Sequence, residues 1–537
     1  MKKIFKYTAL ALVGVVLSTT GCRKDFDKIN TNSATYNQNN FDPNYVLTSA
    51  QLGYSGSSDF SYDTWRANLI YCSTMMQGFS TVISYWAGDK YILNADYTAA
   101  YWGFAGGTPT AGDGAYPEQV RPIADVVQST ADKPQYKNLH QIARIMKALI
   151  FERITDLYGD VPYSQAGLGY YDKTYFPVYD KQQAIYMDLL KEISEATTAL
   201  DPNGDKPSGD KYYGGDIAKW KRFGNTLLLR VAMRLSKVDQ ATAKLYVQKA
   251  IGNTMTSNAD DAAFMGDAAG GRNTINRNSQ ILLGDGGQEN YYTRWSKTFI
   301  DFLKTNNDPR LTKVAVTNLY VDENTKAQNP AANATAPAQK GMPNGKDLSG
   351  IAGQDIRQDG SFTTFPDYSS PAPNLIKRGG PTFVLTYAES ELLLADAAER
   401  FGLGGSAADH YNNGVEASMM YLGEYDPSSA VSKTDADAYL AAHPYVQANG
   451  LEMINHQYWT LTCTMLDFYE AWSNWRRTGF PVLIPVVYPG NNTGGTIPRR
   501  FPYPISEAGT NTANYNAAHN AVVGGDLLTS RVWWDAN

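Results

Sequence analysis

The residues best equipped for chemistry in this chain are rings. Tyr85 and Trp86 are followed by Asp89, Tyr91 and Asn94, then by Tyr101 and Trp102. A second group, Tyr291, Tyr292, Arg294 and Trp295, closes a Gly-, Asn- and Asp-rich stretch over 253–295. Side chains of this kind bind rather than react. A ring face packs on a flat apolar surface at small entropic cost, and interleaved carboxylate, amide and guanidinium groups fix polar substituents. The same rings would serve as anchors holding long loops to a core, and that reading stays open at each position.

Reactive motifs are missing. No G-x-S-x-G, H-E-x-x-H or phosphate-cradling G-x-x-x-x-G-K occurs. His140, His410, His443, His456 and His519 are scattered without metal-ligand spacing. Asp201–Asp205 begins like a calcium loop, but Lys206 stands where Gly is needed and Tyr212 where the bidentate Glu belongs. No metal and no cofactor are expected, with calcium elsewhere in the Asp-rich loops as the alternative. A carboxylate pair for glycoside hydrolysis is defined by distance in space, which spacing along the chain does not give. A lipid-anchored glycosidase therefore stays as an alternative.

The amino terminus addresses the protein. Lys2, Lys3 and Lys6 precede an apolar Leu10–Leu17 run that is too short to span a bilayer, and Ser18, Thr19, Thr20 and Gly21 lead to Cys22. This resembles a bacterial lipobox, with Thr19 where Leu is usual. Residues 1–21 read as a lipoprotein signal peptide, and Cys22 as the lipidated first residue of the mature chain. Several acyl chains on one residue hold firmly to a membrane where one binds marginally. Residues 22–43 read as an Asn- and Asp-rich tether; about 20 flexible residues reach roughly 25 Å. Without residues 1–21 the chain carries 44 basic against 53 acidic side chains, a net of −9. No basic stripe is present to neutralise phosphates, which speaks against nucleic acid as a partner. Cys72 and Cys463 are too few for a disulfide scaffold and read as buried thiols, with pairing as the alternative.

Helices must position the rings. Residues 137–158 place Ile142, Ile145, Met146, Leu149, Ile150 and Leu157 on an arc wide enough to require several packing neighbours. Arg153 falls inside that arc and needs a carboxylate partner. Gly159 and Pro162 end the helix. A helix is also expected over 65–80. Paired patterns follow at 137–158 with 179–200, 217–236 with 240–251, 382–401 with 405–421, and 434–442 with 449–477. The last segment carries an unbroken apolar seam from Ile454 to Trp475. The expected fold is mainly α, a tetratricopeptide-like stack of helical hairpins. It forms one domain over 44–537, with irregular insertions at 253–295 and 322–380. The terminal Trp533 and Trp534 are expected to dock back on the body.

Several motifs in one order carry a resemblance: Cys22 and its tether; Ile154-Thr-Asp-Leu-Tyr-Gly-Asp-Val-Pro-Tyr163; Asn307-Asp308-Pro309-Arg310-Leu311; Leu385 to Asp396; Ala471 to Pro481; and Pro498 to Pro504 followed by Glu507. Over nearly its whole length the chain resembles the SusD/RagB family of Bacteroidetes outer-membrane lipoproteins. The resemblance implies a non-catalytic protein on the outer face of the outer membrane, capping a TonB-dependent (SusC-like) transporter. Such proteins capture oligosaccharide, or in some members peptide, with aromatic loops while the helical stack faces the transporter. A helical adaptor without a small ligand is a further alternative. On a sugar, the apolar C–H face stacks on rings. The expected contacts are Tyr85, Trp86, Tyr91, Tyr101, Trp102, Tyr291, Tyr292 and Trp295, with Asp89, Asn94 or Arg294 on the hydroxyls.

The anchor reading has a direct test. Cys22→Ala should shift the protein from the membrane fraction to the soluble fraction of cells. Protein that still sediments with membranes would refute lipidation at Cys22.

Overall fold

Ile142, Ile145, Met146, Leu149, Ile150 and Leu157 are all buried, and Lys137–Tyr158 is a 22-residue helix covered on several sides. Gly159, at φ 82°, terminates it and donates its N–H to Thr155 O at 2.8 Å. The computed structural model describes residues 41–56, 62–103, 114–270 and 274–536. The expected signal peptide, Cys22 and the expected tether through residue 40 lie outside them.

Leaving single turns aside, the helices of the first half are α1 (Pro43–Ser55), α2 (Asp63–Ser73), α3 (Arg121–Thr130), α4 (Lys137–Tyr158), α5 (Gln182–Ala199), α6 (Ile217–Arg234) and α7 (Gln240–Ala250). Those of the second half are α8 (Lys297–Thr305), α9 (Tyr387–Phe401), α10 (Ala407–Met420), α11 (Lys433–Ala442), α12 (Gly450–Met465), α13 (Phe468–Thr478) and α14 (Thr512–Ala521). α4 packs on α3, α5, α6 and α13; α5 on α6; α6 on α7; α9 on α10 and α12. The architecture is mainly α and tetratricopeptide-like, and from Asn44 onward the chain packs as one compact unit.

Some expectations are corrected. The start of the 382–401 segment is a strand: Pro381–Leu385 pairs antiparallel with Ala262–Met265, and the helix begins only after Thr386, whose hydroxyl caps Glu389 N. The 449–477 helix is two helices, α12 and α13. Leu466 takes a left-handed conformation (φ 60°), and Asp467 caps α13 through Glu470 N. Asp467 also receives Arg153 Nη2 at 2.8 Å, so the break supplies the carboxylate that Arg153 needs. In place of the fourth hairpin, α11 packs on α10, and α12 on α9 and α13. The residues expected as helix 65–80 fold instead as the wider π-helical α2, ending at Ser73.

The stack closes around a buried set of charges. Arg230, on α6, grips Glu152 of α4 through Nε and Nη2 at 2.9–3.2 Å, and reaches Glu389 of α9 at 3.2 Å. One turn on, Arg234 bonds Asp156 at 3.1 Å and Glu470 of α13. Tyr458 donates to Glu389 at 2.9 Å and to Glu470 at 2.7 Å. Trp534 seals the end, its Nε1 donating to Asp156 at 2.8 Å, so the tail does dock on the body. Four carboxylates face two guanidiniums here. Burial, only partly offset by Arg230, pushes Glu152 and Glu389 up to about 7. Elsewhere burial of Asp396 is outweighed by Arg477 and Arg400, which hold it at about 2. Cys72 and Cys463 are buried free thiols.

The raised carboxyls keep protons that the unfolded chain releases near 4.5. Their contribution is therefore present below about 4.5 and lost as pH rises to about 7. Thermal melts should show stability declining over that interval, and the paired Glu152→Gln and Glu389→Gln substitutions should flatten the decline; an unchanged slope would refute it. Arg234→Met, which strands three buried acids, should cost about 3–5 kcal/mol in denaturant unfolding.

Candidate functional site

Two contacts bring the early and middle regions together. The short strand Phe79–Ser80 pairs antiparallel with Arg294–Trp295. Tyr85 OH donates to Glu289 Oε1 at 2.6 Å, and Glu289 opens the turn that carries Tyr291 and Tyr292. Tyr85 and the rings of 291–295, far apart in sequence, are therefore neighbours in the fold.

Of the expected contacts, only some reach the surface. Tyr85, Tyr291, Tyr292 and Asn94 are half-buried. Trp86, Asp89, Tyr91, Tyr101, Arg294 and Trp295 are inside, and in this arrangement they hold loops rather than face a ligand. Asp89 accepts Asn344 Nδ2 at 3.0 Å and Gly345 N at 2.9 Å. Tyr91 OH accepts Val486 N at 3.1 Å. Tyr101 packs on Tyr469 at 5.0 Å. Trp295 lies between Phe79 and Phe299 and donates Nε1 to Val314 O at 2.9 Å. Arg294 bonds three backbone carbonyls (Asn290, Thr293 and Phe365), and burial without a carboxylate lowers it to about 10. Asn94 spends its Oδ1 capping the next turn through Asp96 N and Tyr97 N. The physical reason is common to all: irregular insertions have no helical ladder, so large side chains must fasten them. Tyr291 and Tyr292 do both jobs, packing on Phe365 at 5.9 and 4.9 Å over a small separate core.

The half-exposed rings form a shelf that the sequence reading missed in part. Tyr62 and Trp65 stand 6.1 Å apart, and Trp65 meets Tyr85 edge-on at 5.9 Å. The Arg66 guanidinium lies 4.6 Å from the Tyr62 ring and 5.0 Å from the Tyr97 ring. Arg277, from the middle region, pins the start of α2 by bonding Asp63 at 2.5 Å and the Tyr54 carbonyl. The available signal was the Tyr62-x-x-Trp65 spacing, which puts both rings on one side of a first helical turn. Chemically, the shelf offers stacking faces with a cationic multidentate donor among them.

Trp102 lies elsewhere. Rings of Tyr116, Tyr158, Tyr179 and Tyr503 surround it at 4.8–6.2 Å, and it forms one wall of a cavity of about 450 Å³. Among the described residues, no three His, Cys, Asp or Glu side chains group as metal ligands, and no helix is long and apolar enough to cross a membrane.

A helical-repeat scaffold whose irregular loops present an anchored shelf of rings defines a binding protein. The particular family follows from comparison: residues 58–504 match the SusD-like model described as "Starch-binding associating with outer membrane", and the chain belongs to that SusD/RagB family. A solved structure described as a chitin-binding protein is 33% identical, with a TM-score of 0.78, covering 92% of this chain and 100% of its own. A SusD-like protein described as "Bacteroidetes AC2a" is 26% identical over 93% of this chain and 100% of its own, with a TM-score of 0.77. A SusD homologue from Bacteroides uniformis, 23% identical with a TM-score of 0.70 over 93% of this chain and 100% of its own, shares the fold. No curated protein matches the chain.

Burial separates anchors from shelf in a measurable way. Trp86→Ala should lower unfolding free energy by about 3–5 kcal/mol. Trp65→Ala should change it by about 1 kcal/mol or less in the same denaturant titration. Equal losses would refute the division.

Proposed function

We propose that this protein captures oligosaccharide outside the cell and passes it to a TonB-dependent outer-membrane transporter, without making or breaking a covalent bond. The observation that carries the reading is the shelf of Tyr62, Trp65, Tyr85 and Tyr97 with Arg66 among them. Rings present the C–H face of a pyranose with a low-entropy surface, and a guanidinium offers a fork of donors to its hydroxyls. Attachment is by lipid at Cys22, with the folded body facing outward. The family's association with starch binding and the outer membrane supports this placement. A chitin-binding relative at 33% identity makes an acetamido polysaccharide the first ligand to test.

Calorimetry with oligosaccharides of several linkages should give saturable binding, and Trp65→Ala or Arg66→Ala should weaken it at least about tenfold, as loss of about 1.4 kcal/mol implies. No reducing ends should appear on prolonged incubation. Binding untouched by either substitution would remove the shelf from the site, and release of reducing ends would establish a hydrolase.

A further inference from the structure

The cavity beside Trp102 has a different character from the open shelf. Its volume of about 450 Å³ falls within the range of small-ligand sites. Its walls are Trp102, Tyr116, Pro162 and Tyr175, and its polar groups, Glu507 and Asn511 among them, come from one segment of the tail. The walls are fixed, because the phenol hydroxyls around Trp102 are committed internally. Tyr116 donates to Pro162 O at 2.7 Å, Tyr158 to Thr98 O at 2.6 Å, Tyr503 to Asp160 O at 2.7 Å, and Tyr179 to Glu507 Oε2 at 2.9 Å. Asn511 Nδ2 holds the opposite lip through Pro177 O at 2.7 Å. Tyr175 is 69% exposed, so one ring stands at the mouth while Trp102, at 5%, forms the back.

A plain glucan fits these walls poorly. It carries a hydroxyl on nearly every ring carbon; Ser506, Glu507, Thr510 and Asn511 can meet those on one side, but hydroxyls pressed against the committed rings and prolines opposite lose their hydration without compensation. An acylamino sugar resolves the conflict. Its methyl group has an apolar wall to meet, its amide N–H has a carboxylate, and its remaining hydroxyls stay in water at the mouth beside Tyr175. We propose that this cavity is a second saccharide subsite, selective for N-acetylated amino sugars, with Glu507 accepting the acetamido N–H and Tyr175 stacking on the ring. The proposal rests on the glycan-capture reading and adds to it the source of sugar selectivity.

The test compares triacetylchitotriose with cellotriose, which shares the β-1,4 linkage but has a hydroxyl where the other has acetamide. Both are titrated calorimetrically into the whole chain in detergent micelles. The acetylated sugar should bind at least about tenfold more tightly, the discrimination that a buried methyl and a satisfied polar group provide. Tyr175→Ala and Glu507→Gln should each remove that preference and leave cellotriose affinity unchanged, whereas Trp65→Ala should weaken both sugars. Thermal melts confirm that the variants are folded; Tyr175 is exposed, and the amide oxygen introduced at position 507 can still accept from Tyr179. A preference that survives in both folded cavity variants overturns the subsite and leaves glycan capture at the shelf standing. Failure of the wild-type chain to bind triacetylchitotriose overturns the subsite, and failure to bind any sugar of the linkage series overturns the capture reading with it.

Discussion

The structure depends on a charge lattice at its centre. Glu152 and Asp156 lie one turn apart on α4, and Arg230 and Arg234 face them with the same spacing on α6. Glu389 from α9 and Glu470 from α13 close the set from the other side. Buried charge tolerates only a narrow range of arrangements, since each ion must meet its partners at bonding distance or lose its solvation uncompensated. Four helices drawn from positions 137 to 478 are thereby held in one register. Carboxylates outnumber guanidiniums, so two of them hold their protons to about neutrality.

From this rigid stack the rest of the chain departs as loops, and the loops pose a packing problem. Stretches such as 322–380 have little regular backbone pairing, so they are fastened by aromatic and long polar side chains. Trp86, Tyr101 and Trp295 do for the loops what leucines do for the helices. Among the described residues, Tyr62, Trp65, Tyr85 and Tyr97 lie half-exposed at the rim of this fastening. The two roles grade into one another: Tyr85 is both surface ring and, through Glu289, a tie between the early and middle regions. A shelf tied in this way presents its faces already in position, which lowers the ordering cost of binding.

Much of this was legible in the sequence because it is local. Helix periodicity, a terminating Gly159 and an Arg153 in need of an acid are properties of a few neighbouring residues, and the family resemblance rests on motifs in order along the chain. The break at Leu466 was not legible, since the apolar seam runs through it without interruption. It arises because Asp467 serves both as a cap and as the partner of Arg153, a residue 314 positions away. Pro381–Leu385 reads as the start of a helix until a partner strand from 262–265 is beside it.

The candidate site shows the same boundary more sharply. That rings from the start and the middle of the chain would matter together could be read from composition and spacing. Which rings face water could not, because a tyrosine or tryptophan is amphipathic and its sequence neighbourhood looks the same in a wall or on a shelf. Burial is set by what packs on the far side of each ring, and here that comes from residues hundreds of positions away: Val486 on Tyr91, Tyr469 on Tyr101, Tyr503 on Trp102. The chain by itself determined the helical class, the family and the supply of amphipathic rings along the loops. Tertiary packing alone decided which of those side chains face solvent, because what covers each ring comes from distant parts of the chain.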